Sequence, residues 1–323
     1  MPLTIDPVYA LATEPLIPIL KSLPVAKVHD IETRRSSMNA IFGPISEEIQ
    51  FPSGVIQERF TLKSYDSAEV SILHTYSSTQ SRGNPTSAII HAHGGGMIAG
   101  SPEIFAKFIA RFASLHGLPV FSVDYRKAPE SPHPAPTEDV YAGLLYVQSN
   151  SQRLNIDPAR LILYGESAGG GIAAGVALMA RDRHLIPAVA KQILIYPMLD
   201  DRNCRPIPSI EPFAFWNNES NITGWTALLG ADKAGKPEAD VSHYAAPARA
   251  TDLVDLPRTY IDVGELDIFK AEDIEFARRL TEVDVSVEFH LYPGVPHAFE
   301  TMAPGIWSSR LAVQNRVRAL QDV

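Results

Sequence analysis

Gly165-Glu166-Ser167-Ala168-Gly169 has the G-x-S-x-G spacing that presents a serine hydroxyl on a sharp turn between a strand and a helix. The apolar run LILY precedes it and the helix-forming stretch AGGGIAAGVALMA follows, which is where such a turn must stand. At ordinary glycine and serine frequencies the bare pattern arises by chance in roughly one chain in ten of this length, so the position carries the weight. The glycines are needed because side chains beside the serine would collide with the neighbouring strand and helix. A plain glycine-rich turn with an N-cap serine is the competing reading.

A serine hydroxyl is a weak nucleophile at neutral pH; an imidazole must take its proton, and a carboxylate must hold that imidazole's tautomer. On a strand–turn–helix elbow the order along the chain is serine, acid, histidine, with acid and histidine on loops after late strands. His297, in the turn PGVPHAF, is the preferred base, since a loop position can reach Ser167. His290, inside the alternating stretch VSVEFHLY, reads as a strand-face residue. Of the acids near the end of RTYIDVG, Asp262 is still within the strand; Asp267 is chosen, with Glu265 as runner-up. His116, His133, His184 and His243 have no acid and nucleophile in register and read as structural or solvent-facing.

His93-Gly94-Gly95-Gly96 supplies consecutive glycines whose backbone N–H groups can turn into one concavity. The N–H groups of Gly95, Gly96 and Ala168 are assigned to a developing oxyanion, with Gly94 a weaker donor. His93 is expected to orient this loop through a side-chain hydrogen bond. His91 and His93 share a strand face, but no third ligand accompanies them at metal-binding spacing, so neither a metal nor another cofactor is expected.

These groups need a scaffold. VIQERFTLKSY and EVSILHTY alternate apolar and polar residues, as a half-solvated antiparallel pair would. Short apolar runs at 87–93, 118–125, 160–165, 191–197, 258–264 and 285–293 are strand-length and rich in β-branched residues. Helix-length segments at 103–116, 135–149, 168–182, 270–282 and 305–321 separate most of them or follow the last. Such alternation predicts an α/β fold with a mostly parallel sheet, helices on both faces and the hairpin as an antiparallel edge. Two stretches stand outside it: 1–50, and 200–245 with Phe213, Phe215, Trp216 and Trp225. They read as the two parts of a cap on a single catalytic domain, 51–323, the alternative being that they only cover a sheet edge. Met97, Phe215, Trp216, Trp225 and Phe299 are candidate pocket walls by chemistry alone, although such residues are more often core.

Composition narrows the partners. The 323 residues are 45% hydrophobic, enough for a large core, and the formal charge of −9 with no basic run offers no electrostatic footprint for nucleic acid or an anionic membrane. No segment approaches the roughly 20 unbroken apolar residues of a membrane span, and the N-terminus lacks a signal-peptide pattern. Cys204 is the only cysteine, so no intrachain disulfide can form and a reducing, cytoplasmic location is expected.

With these residues in hand the chain resembles the hormone-sensitive lipase family of esterases, or bacterial family IV, related to plant carboxylesterases and arylacetamide deacetylases. The likeness spans roughly residues 85–300 and rests on HAHGGGMIAGSPE, VDYRKAPESPHPAPTEDVYAGLLYV, LYGESAGGGIAAGVALMA, IYPMLD, VGELDIF and VPHAF, in that order. It implies the α/β-hydrolase fold, an oxyanion hole from the HGGG and GxSxG loops, a cap from the N-terminal region plus an inserted segment, and commonly a homodimer. It departs from the family where Glu166 replaces the usual Asp, and where Asp267-Ile268-Phe269 replaces Asp-Pro-Leu. The expected activity is hydrolysis of short to medium acyl or aryl esters through an acyl-enzyme. A lactonase or amidase would share the same triad, and a ligand receptor that has lost catalysis would share the scaffold.

Overall fold

The structure, a computed structural model, describes residues 2–79 and 84–323. Eight strands, β1 (Val55–Lys63), β2 (Glu69–Ser77), β3 (Thr86–Ala92), β4 (Val120–Val123), β5 (Ile156–Glu166), β6 (Lys191–Ile195), β7 (Arg258–Gly264) and β8 (Val287–Tyr292), form one sheet. Its order is β1-β2-β4-β3-β5-β6-β7-β8. β1 with β2 and β2 with β4 are antiparallel, and every later pairing is parallel. The hairpin therefore forms the antiparallel edge that its alternating pattern predicts.

Parallel strands are covered on both faces, so successive residues of one strand enter different cores. Ala88 and Ile90 pack in one cluster with Val140, Leu144, Ile172, Val176, Phe276 and Leu280, from helices Ala135–Ser149, Ala168–Asp182 and Lys270–Glu282. Ile89, between them, joins the opposite cluster with Ile109, Ala113, Ala319 and Leu320, from helices Ala106–His116 and Trp307–Gln321. Helix Ala106–His116 begins later than the expected 103; turns occupy 102–105, and the helix ends at Gly117, whose φ of 76° is the left-handed conformation glycine tolerates.

The N-terminal stretch, which carried no periodic pattern, folds into helices Pro7–Thr13, Ile17–Ser22 and Ile31–Glu48. Asp6 and Asp30 cap the first and last of these, accepting from Val8 N at 2.6 Å and Thr33 N at 3.0 Å. Tyr9, Ile41 and Phe42 bury against Tyr292, Val295, Phe299 and Met302, joining this segment to the loop that follows β8. In 200–245 the main element is helix Asn218–Leu229, capped by Asn217. Among the described residues no helix is long and apolar enough to cross a membrane.

Candidate active site

Ser167 sits between the end of β5 and the start of helix Ala168–Asp182, with φ 57° and ψ −122°, a conformation that hard-sphere contacts disfavour for any residue but glycine. Three backbone bonds hold it there: its N–H donates to Ile195 O at 2.8 Å, and its carbonyl accepts from Met198 N at 2.9 Å and Gly171 N at 3.1 Å. The flanking glycines are needed for close approach. A β-carbon at Gly165 would lie 2.1 Å from Gly169 O, and one at Gly169 would lie 2.0 Å from Ala92 O.

The loops after β7 and β8 bring the other two groups in. His297 Nε2 lies 3.0 Å from Ser167 Oγ, and His297 Nδ1 lies 2.6 Å from Asp267 Oδ2. Exposures of 6% for Ser167, 5% for His297 and 1% for Asp267 leave little room for water to compete with these bonds. Asp267 accepts Phe269 N–H at 2.9 Å through its other oxygen, which fixes the carboxylate plane. Since Asp267 can only accept when ionised, Nδ1 carries the proton and Nε2 is free to receive one. The rings of Tyr196 and Phe269 meet the imidazole edge-on at 4.5 and 5.4 Å and limit its rotation. With Ile268-Phe269 in place of Pro-Leu, the Asp267 carboxylate still lies at hydrogen-bond distance from His297.

The rejected candidates have other partners. Glu265 accepts Gly294 N–H at 3.0 Å and so ties the two loops together. Asp262 is inside β7 and takes Arg316 through both oxygens, at 2.7 and 2.8 Å. His290 lies on β8, 2.6 Å from Glu288.

Gly95 and Gly96 adopt φ of 129° and 60°, and the Gly95 carbonyl accepts from Ile98 N at 3.1 Å and Ala99 N at 3.0 Å, closing a tight loop. Among the described residues no group accepts from the N–H groups of Gly95, Gly96 or Ala168. Gly94, Gly95, Gly96 and Ser167 line one cavity. His93 meets the Gly94 carbonyl at 2.6 Å, as expected of a loop-orienting side chain; burial first, and then Lys127, push its pKa well below the usual imidazole range. It is therefore neutral and donates from Nδ1. His91 turns elsewhere, to Ser122 Oγ at 2.6 Å and Glu166 Oε2 at 2.8 Å, and His93 lies just past the end of β3. Among the described residues no group of three or more side chains could hold a metal ion.

The cavity that reaches Ser167 has a volume of about 400 Å³. Of the five expected wall residues, Phe215 and Trp216 line it. Met97, Trp225 and Phe299 lie instead in the core, each 0–1% exposed, because loop and helix backbones turn their apolar side chains inward to pack. Helix Ile31–Glu48 supplies walls that sequence reasoning did not name, among them Met38, Phe42 and Ile45; with no periodic signal there, only its docking could reveal them.

A buried ionic cluster also escaped the sequence reading. Tyr196 OH donates to Glu300 Oε1 at 2.7 Å, and Arg316 Nη1 reaches the same oxygen at 2.7 Å while its other nitrogens hold Asp262. Burial and the Glu300 charge drive the Tyr196 hydroxyl well above its ordinary pKa, so it stays protonated. Burial acts to lower Arg316, but Asp262 and Glu300 outweigh it and hold the guanidinium charged. The pieces of this cluster stand far apart in the sequence, and only proximity reveals them.

A family model described as the alpha/beta hydrolase fold matches residues 89–301. Esterase LipI of Mycobacterium tuberculosis is 31% identical over 239 residues, covering 73% of this chain and 72% of that protein. Carboxylesterase NlhH of the same species is 33% identical over 223 residues, 67% of either chain. A solved structure described as a bacterial heroin esterase superposes with a TM-score of 0.89 at 35% identity, covering 99% of this chain and 98% of that one. The chain belongs to the α/β-hydrolase family, in the hormone-sensitive-lipase-like branch that its motifs resemble.

Proposed function

We propose that this chain is a serine carboxylesterase acting on short to medium acyl or aryl esters. The observation that carries this reading is the hydrogen-bond chain from Ser167 through His297 to Asp267, at 3.0 and 2.6 Å, at the edge of a cavity. Ser167 attacks the ester carbonyl while His297 takes its proton, and Asp267 stabilises the imidazolium. The N–H groups of Gly95, Gly96 and Ala168 meet the oxyanion, and His297 then protonates the departing alkoxide. Water, activated by the same imidazole, releases the acid from Ser167.

The names of the similar esterases support an ester over an amide as the bond cleaved. Residues 1–50 and 200–245 serve as the cap: Phe42 from one and Phe215 from the other meet edge-to-face at 6.2 Å, and both line the cavity. A receptor that had lost catalysis would have no use for a buried, hydrogen-bonded base, and this favours the hydrolase. The test is hydrolysis of p-nitrophenyl acetate and butyrate. Ser167→Ala should lower turnover by several orders of magnitude, and an organophosphonate should label Ser167 in the parent chain. Full activity in the variant overturns the reading.

A further inference from the structure

The residues that 1–50 and 200–245 contribute to the wall of the Ser167 cavity are all buried or half-buried, and Phe42 and Phe215 meet edge-to-face there. The exposed residues of the wall are Arg111, Leu115, Pro304, Arg310 and Gln314. All five lie on helix Ala106–His116 or in the segment 304–314, which leads into helix Trp307–Gln321. The cavity therefore opens to solvent between these two helices.

Charge is divided along it. At the inner end Glu166 adjoins Ser167 and meets His91 at 2.8 Å, and Glu300 accepts from Tyr196 and Arg316, each at 2.7 Å. At the mouth the exposed charged residues are Arg111 and Arg310, and neither guanidinium makes a hydrogen bond or ion pair among the described residues. Both stay charged at any ordinary pH. Phe105, whose ring lies 5.9 Å from that of His93, begins an apolar wall that Phe108, Ile109 and Phe112 continue along the helix. From Phe105 to Arg111 the helix rises about 9 Å, so a group held at the mouth stands several carbon atoms from an ester held at Ser167.

We propose that the enzyme recognises esters that carry a carboxylate at the far end of an apolar chain, the ester reaching Ser167 while the carboxylate stays at the mouth against Arg111 and Arg310. The inner carboxylates repel such a group and the outer guanidiniums attract it, so charge decides which end enters. The apolar wall takes the chain between them. This rests on the hydrolase reading above.

The test measures kcat/KM at neutral pH and low salt for two series of increasing chain length, ω-acetoxyalkanoates and monoethyl esters of linear dicarboxylic acids. Each is compared with the ester in which a carboxamide, equal in shape but neutral, replaces the carboxylate, and p-nitrophenyl acetate is the control substrate. In at least one series the carboxylate should be preferred by about fivefold or more at the best length. The preference should fall toward unity as NaCl is raised to about 1 M, where charges are screened beyond about 3 Å. The double variant Arg111→Gln, Arg310→Gln should abolish it at low salt. Should that variant not fold, the salt series on the parent enzyme decides. A ratio within about twofold of unity at every length in both series, with p-nitrophenyl acetate still turned over, overturns the carboxylate site alone. So does a parent that turns over p-nitrophenyl acetate but no member of either series, or a preference that survives the double substitution or high salt. A parent chain that leaves p-nitrophenyl acetate intact overturns the hydrolase reading, and the carboxylate site with it.

Discussion

The indole of Trp216 lies directly over Gly96, so close that a β-carbon on the glycine would stand 2.1 Å from Cη2. Gly96 has a φ of 60°, so a side chain there would meet strain and a collision together. A residue from the 200–245 segment thus seals one side of the loop whose N–H groups are assigned to the oxyanion.

Gly96→Ala is expected to lower kcat toward short p-nitrophenyl esters by about 10²–10³, the cost of misplacing one oxyanion donor. Steady-state kinetics check this. If the collision is the cause, adding Trp216→Ala should restore part of the loss, whereas the strain at φ 60° would remain.

Asp267→Asn keeps the shape of the acid but can present an N–H to His297 Nδ1 and so favour the wrong tautomer. Turnover should fall by about 10⁴ with the thermal midpoint little changed. Glu265→Gln, by contrast, touches only the Gly294 N–H and should leave most of the activity. Activity and melting temperature measured on both variants separate the two carboxylates.

Arg316→Leu would leave Asp262 and Glu300 buried without their shared cation. Breaking a buried pair from one side costs about 3–5 kcal/mol, and urea unfolding should show a loss of that size. The exposed pair of Arg278 and Glu275 provides the comparison: removing it should change stability by less than about 1 kcal/mol.

Burial pushes the His116 imidazole from the ordinary value of 6.5 down to about 4, and its Nδ1 accepts Leu118 N–H at 3.0 Å. Between those pH values the unfolded chain binds a proton that the folded chain does not. Stability conferred by the neutral ring is therefore intact above pH 6.5 and falls as pH drops toward 4, by up to about 3 kcal/mol. His116→Asn can still accept the Leu118 N–H, two residues on, but cannot titrate. Its unfolding free energy should decline less than the parent's over the same window when both are measured by denaturant titration.

The sequence by itself determined what depends on local pattern. Strand-length apolar runs rich in β-branched residues, and the helix-length segments between and after them, place β3 to β8 and five of the helices within a few residues, though not the longest helix, Ile31–Glu48. Ser167 and Gly95–Gly96 were legible because a sharp turn restricts its own residues, and His297 because it follows the last strand. Tertiary structure alone decided the rest. It separated Asp267, already preferred, from its runner-up Glu265: the packing of two loops puts Asp267 at 2.6 Å from the imidazole and Glu265 on the Gly294 N–H. It sent Met97, Trp225 and Phe299 to the core and brought Phe42 to the cavity, because an apolar side chain serves either place and burial is settled by what docks against it. It also assembled Tyr196, Asp262, Glu300 and Arg316, whose polar and charged groups have no sequence periodicity and gain meaning only at hydrogen-bond distance in a medium from which water is excluded.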